Sequence, residues 1–151
     1  MGMLIIDARP LMPEVLQELV PTSMHENIQN ISKLVRQWTE GESLFDGEGE
    51  ELRVAQIGGR TVGVGGVVKC RDFSGALRVT RFYVHPEFRN RGIATAIAVH
   101  LIKNASQFAD VVTCNAQASV QATPFWESLG FLRIEHPGIT HKLQIDKALQ
   151  I

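Results

Sequence analysis

Arg89, Arg91 and Gly92 are the residues of this sequence best placed to handle an anion. They lie in the run Arg89-Asn90-Arg91-Gly92-Ile93-Ala94, after a strand-like stretch and at the start of a helix-like one. A helix start leaves backbone N–H groups without intrahelical partners and carries partial positive charge. Gly92 has no Cβ and Ala94 is nearly as small, so a ligand can come close to the main chain. Two guanidinium groups beside such donors suit a phosphate or pyrophosphate. The rival reading is a basic loop with a glycine where the backbone turns. The P-loop pattern Gly-x-x-x-x-Gly-Lys-Ser/Thr is absent. Gly-x-Gly-x-x-Gly is absent from the turn and its acidic partner is not evident, so a dinucleotide-binding Rossmann reading is weak.

The elements that must position this turn are legible on both sides. Leu77 to Val84 is rich in Val, Thr, Phe and Tyr and predicts a strand. His85-Pro86 stops it, because Pro brings no N–H to a ladder and restrains the residue before it. Ala94, Ala98, Leu101 and Ala105 recur at helical spacing, widened by Ile93, Ile97 and Ile102.

On these residues the chain resembles the GNAT superfamily of acetyl-CoA-dependent N-acetyltransferases. R-N-R-G-I-A matches that family's Arg/Gln-x-x-Gly-x-Gly/Ala loop, directly after a strand ending in Val-x-Pro (Val84, His85, Pro86). A second match is N-A-Q-A-S-V-Q-A-T-P-F-W-E-S-L-G-F, residues 115 to 131, similar to the end of the family's fifth strand and the following helix. The clear resemblance covers about residues 77 to 135, and the first half matches only in general plan.

The chain has 151 residues, enough for one domain and too few for two ordinary ones, so we expect a single domain over 1–151. Its 44% apolar and 21% charged content fit a soluble globular protein. A formal charge of −1 gives no global field for nucleic acid. The start, MGMLIIDARP, lacks a signal-peptide core and no run is long enough to span a bilayer, so we expect no membrane association. Met1-Gly2-Met3 is a poor match to a myristoylation signal. Cys70 and Cys114 have no metal or redox spacing, and reduced thiols in a cytoplasmic protein are the expectation.

Met3 to Ala8 predicts a first strand. Pro13-Glu14 opens a helix burying Val15, Leu16, Leu19 and Val20, which Pro21-Thr22-Ser23 breaks. Ser23 is the predicted cap of a second helix, with Glu26 completing a capping box, and that helix runs through Ile28, Ile31, Leu34, Val35 and Trp38 to Thr39. The acidic stretch Glu40 to Glu51 is a solvated loop or, functionally, a rim attracting a cationic amine. Leu52 to Ile57 and Thr61 to Cys70 form a hairpin around Gly58-Gly59-Arg60, and Gly63, Gly65 and Gly66 mark a bulge or a close approach. Arg71 to Gly75 is a second turn, so strands two to four make an antiparallel meander. Asp110 to Ala116 is a strand parallel to the fourth, reached by a helical crossover. Ala122 to Leu129 is a short helix stopped by Gly130, and Phe131 to Glu135 and Ile139 to Ile145 close the sheet.

The predicted fold class is α/β: a mixed, mostly antiparallel central sheet with helices on both faces. The resemblance adds that strands four and five splay to admit pantetheine. It implies acetyl-CoA as acyl donor, held by the main chain of Phe82, Tyr83 and Val84, with the Val84 N–H toward the thioester oxygen. Arg89, Asn90, Arg91, Gly92, Ile93 and Ala94, with Thr95 behind, would cradle the pyrophosphate. Ser119 stands where many relatives have an Asn on the pantetheine arm. Trp126 stands where many have a Tyr that protonates the leaving thiolate, and indole is no usable acid. Water, Cys114 or Tyr83 are the substitutes. Glu50, Glu51, Asp72 and His85 lie near strand ends, but each reads first as a solvated side chain, and the catalytic residues stay unassigned. His136 and His141 lack metal spacing, so no metal is expected. Arg78 and Arg81 fall on opposite strand faces by alternation.

The expectation is an N-acetyltransferase moving acetyl from acetyl-CoA to a primary amine by direct transfer in a ternary complex. The rival is a catalytically weak acyl-CoA-binding or sensing module. The acceptor is a small molecule or peptide amine, and relatives are often homodimers.

Overall fold

The computed structural model describes residues 2–145, and Met1 and residues 146–151 of the expected domain lie outside the described residues. Its centre is the predicted meander. Strands β2 (Glu51–Ile57) and β3 (Arg60–Lys69) pair antiparallel through a turn whose Gly58 and Gly59 both have positive φ, 58° and 81°. That turn shape suits the twist of the strands it joins, and only glycine adopts it without cost. Strand β1 (Met3–Asp7) flanks β2, and β4 (Ala76–Val84) flanks β3, both antiparallel.

Helix α3 (Ile93–Ala105) then crosses over, and β5 (Val111–Cys114) returns parallel to β4. After a short helix, α4 (Ala122–Ser128), β6 (Leu132–His136) and β7 (Ile139–Gln144) form a hairpin whose second strand pairs with β5. The seven-stranded sheet has the order β1-β2-β3-β4-β5-β7-β6. It is mixed and mostly antiparallel, as expected. Strand β4 meets β5 only through Ala76, Leu77 and Arg78, opposite Val111, Val112 and Thr113. Beyond Arg78 the two strands diverge, and this is the predicted splay.

Each face of the sheet carries its own core. On one, Ile97, Ala98 and Leu101 of α3 pack over Val62, Val67, Leu77 and Val79. Gly63 and Gly65 permit that fit: a Cβ would lie 2.9 Å from Ile93 Cγ2 at the first and 2.8 Å from Ile97 Cγ2 at the second. On the other face, Leu16, Leu19, Ile31 and Leu34 cover Leu52, Val54 and Val64.

The N-terminal helices differ from expectation. Residues 14–16 form only a 3-10 turn, and α1 runs from Leu19 to His25, straight through Pro21-Thr22-Ser23. Pro21 lies in the first turn, where its missing N–H has no intrahelical role, so it does not break the helix. Ser23 is buried inside α1, its hydroxyl donating to Val20 O at 2.9 Å, rather than capping a second helix. Helix α2 (Asn30–Thr39) starts after Gln29, with no side-chain cap. Glu26 therefore has no capping-box role and is free for another.

A second difference concerns β4. Arg81 sits at φ 62° beside a register shift against β3, which is a β-bulge. Leu77 and Val79 face α3, but after the bulge Phe82 and Val84 do so. Arg78 and Arg81 consequently share the opposite face instead of lying on opposite ones.

Candidate active site

The divergence of β4 and β5 opens a cleft of about 810 Å³. Its walls are the freed half of β4, the turn and first residues of α3, the loop after β5, and α4. Phe82, Tyr83, Val84, Arg89, Asn90, Gly92, Ile93, Ala94, Thr95, Ser119 and Trp126 all line it, whereas Arg91 stands outside the lining.

The basic turn has the shape of an anion cradle. Gly92 is the N-cap of α3 at φ 79°, and Asn90 is also left-handed at φ 64°. The first helical bond of the turn is Ala96 N–H to Gly92 O at 3.0 Å, so the N–H groups of Ile93, Ala94 and Thr95 precede the ladder. A Cβ on Gly92 would meet nothing within 4 Å, which leaves the main chain open to a ligand. These features fit the pyrophosphate of CoA.

The two arginines of the turn differ in role. Arg89 is clamped: Nη1 and Nη2 donate to the Glu26 carboxylate, at 2.8 and 2.6 Å, and Nε donates to Val84 O at 3.1 Å. Its charge is thus answered within the protein, and its guanidinium also covers the Tyr83 ring at 5.5 Å. Arg91 is exposed, stacks over Phe88 at 5.1 Å, and has no ion pair among the described residues.

The candidate acids are poorly suited. The Tyr83 hydroxyl donates to Glu26 Oε1. Burial first, and then the Glu26 carboxylate, push its pKa above the ordinary phenol value. Burial also pushes the Cys114 thiol up to about 12. Both groups hold their protons more tightly than free side chains do. Trp126 is 5% exposed, ringed by Phe82, Phe125 and Phe131 at centroid distances of 4.8 to 5.1 Å.

The suggested bases are not brought to the cleft. Glu50 accepts from Gly47 and Lys69 N–H, Glu51 pairs with Arg53, and Asp72 lies against Gly138. His85 is buried, with its Nδ1 accepting from Glu87 N–H, rather than a surface residue. His141 is fully buried between Thr140 and Glu127. Among the described residues no cluster of His, Cys, Asp or Glu could hold a metal, and no helix is long and apolar enough to cross a membrane.

The acidic segment is not a rim. None of residues 40–51 lines the cleft, and Glu40 and Glu42 instead face Arg36, at 3.0 and 3.8 Å. Among the described residues the cleft is positive, with Arg78, Arg81 and Arg89 in its wall and no Asp or Glu. The residues to which the sequence assigned no site role are Glu26, read only as part of a capping box, Asn30, and Asn115, Gln117 and Gln121 within the run 115–131. Glu26 and Asn30 come to β4 only through tertiary approach, which no local motif marks.

The family model described as Acetyltransferase (GNAT) domain matches residues 16–145. Among solved structures, an Exiguobacterium sp. 255-15 protein assigned to the acetyltransferases is 28% identical, with 95% of this chain and 94% of that one covered and a TM-score of 0.84. A Salmonella typhimurium protein of the same assignment, solved with its cofactor acetyl-CoA, shares the fold at 17% identity, with coverage of 97% and 95% and a TM-score of 0.67. So does a ribosomal-protein-alanine N-acetyltransferase from Brucella melitensis, at 19% identity, 94% and 99% coverage and a TM-score of 0.69. No curated protein matches the chain. A splayed sheet, an open helix N-terminus at its slot and a match over residues 16–145 place this chain in the GNAT acetyltransferase family.

Proposed function

We propose that this protein transfers an acetyl group from acetyl-CoA to a primary amine, directly, in a ternary complex. The observation that carries the reading is the slot between β4 and β5, which runs from the exposed N-terminus of α3 into the cleft. Bound acetyl-CoA would supply an activated acyl thioester. The main chain of Arg89 to Ala94, with Thr95 behind, holds the pyrophosphate, and Arg91 adds charge from outside. The freed backbone of Phe82, Tyr83 and Val84 pairs with the pantetheine arm, as an added strand would. Ser119 offers a hydroxyl and Trp126 an apolar wall along that arm. With Tyr83 committed to Glu26 and Cys114 held protonated, water supplies the proton for the departing sulfur.

That lack of a ready acid favours one rival, acyl-CoA binding without turnover. Calorimetric titration with acetyl-CoA, against dephospho-CoA and ATP, tests the common ground. Saturable acetyl-CoA binding is expected, and its absence from folded protein overturns both readings. CoA release with an amine panel separates them, since binding with no turnover leaves the sensor.

A further inference from the structure

Two cations in the cleft have no counter-charge among the described residues. Arg78 is half-buried at the fork of β4 and β5, with no hydrogen bond or ion pair among the described residues. Arg81 is held by neutral oxygens: Nη1 meets Asn30 Oδ1 at 2.6 Å and Asn30 O at 3.4 Å, and Nη2 meets Gln37 Oε1 at 2.7 Å. Burial, then its neighbours Arg78 and Arg36, lower its pKa, and no carboxylate offsets them. The neighbouring arginines are answered, Arg89 by Glu26 and Arg36 by Glu40. Burying a cation without a counter-charge is costly, so an unanswered pair facing a cleft is poised for an anion.

The phosphates of CoA do not explain the pair. Arg78 precedes Val84 by six residues, about 20 Å of strand, and the phosphate cradle lies beyond Val84. The pair is on the face of β4 that looks toward α2, away from α3. With the cofactor's pyrophosphate assigned to the α3 end, this is the face left for the acceptor.

We propose that Arg78 and Arg81 receive an anionic group on the acceptor, so that the substrate is an amine that also carries a carboxylate or phosphate. The proposal rests on the acyltransferase reading and names its substrate class. Guanidinium forks match both anions, and the same charges disfavour a polyamine. They also disfavour the ammonium form of a nearby amine, which eases its deprotonation where, among the described residues, no carboxylate base lines the wall.

The test is CoA release with matched acceptors: γ-aminobutyrate, aminopropyl phosphate, γ-aminobutyramide and putrescine, with the standard amino acids beside their amides. Anionic amines should exceed their neutral and cationic counterparts about tenfold or more in kcat/KM, and the carboxylate and phosphate arms identify the anion. Arg78→Gln should raise KM for the preferred acceptor about ten- to a hundredfold while leaving the calorimetric Kd of acetyl-CoA unchanged. Preference for the amide or putrescine overturns the proposal, as does an unchanged KM in Arg78→Gln. Arg81 ties β4 to α2, so Arg78 is the better variant. If wild type binds no acetyl-CoA, the acyltransferase reading fails separately. In that case, or with no acceptor turned over, thermal shifts with glutarate decide: stabilisation of wild type lost in Arg78→Gln supports the receptor, and equal or absent stabilisation overturns it.

Discussion

The rings of Phe82 and Trp126 meet edge to face, with centroids 4.9 Å apart and planes at 84°, joining β4 to α4 in the wall of the cleft. Trp126 is therefore a packing residue that also borders the slot. Trp126→Ala should cost about 3–5 kcal/mol of stability in denaturant unfolding, whereas Trp126→Phe should keep most of it. In a Trp38→Phe background, Trp126 emission should shift on titration with acetyl-CoA. An unchanged spectrum at saturation would mean that the cofactor arm does not reach this ring.

Gly92 combines a left-handed backbone with an open surface. Gly92→Glu should abolish calorimetric acetyl-CoA binding through bulk and charge at the cradle. Gly92→Ala isolates backbone strain, costing about 1–2 kcal/mol in stability while retaining measurable affinity. Wild-type affinity in the glutamate variant would contradict the assignment.

Arg89 holds the Glu26 carboxyl below its usual range, its hydrogen bonds outweighing the effect of burial. The unfolded chain thus binds this proton at higher pH than the folded one does. The resulting stabilisation is complete above the ordinary carboxylate pKa of about 4.3 and is lost as pH falls through the lower folded value. Melting curves of wild type and Glu26→Gln should therefore converge below about pH 4. A gap that stays constant from neutral pH downward would show that the clamp does not titrate.

Cys70 and Cys114 are 5% and 2% exposed, and the Cys114 thiol is pushed up to about 12. Neither should react with a disulfide reagent in the native state at mild alkaline pH, and both should titrate on unfolding. Rapid native modification of Cys114 would revive it as a proton donor.

The half of the cleft proposed for the cofactor was legible as a structure because its parts are contiguous. Strand end, turn, N-cap glycine and helix sit side by side from Leu77 to Ala105, so local pattern captured them. The other half depends on distance and phase. Glu26 reaches Tyr83 across 57 residues, and its spacing from Ser23 imitated a capping box. Pattern alone does not fix where α1 begins, so it does not show that Pro21 falls in the first turn, where proline is tolerated. Alternation places Arg78 and Arg81 on opposite faces only while a strand keeps its register, and Arg81 interrupts it.

The bulge at Arg81 also works as a phase inverter. Upstream of it, even-numbered positions look toward α2, and downstream odd-numbered ones do. Flattening the bulge with every residue kept would restore plain alternation and carry Tyr83 to the side now held by Phe82 and Val84, exchanging polar and apolar walls in a single event, whereas deleting Arg81 would leave all three facing as they do. Substitutions on either wall change one side of the cleft, but loss of the bulge at unchanged chain length would rewrite both together.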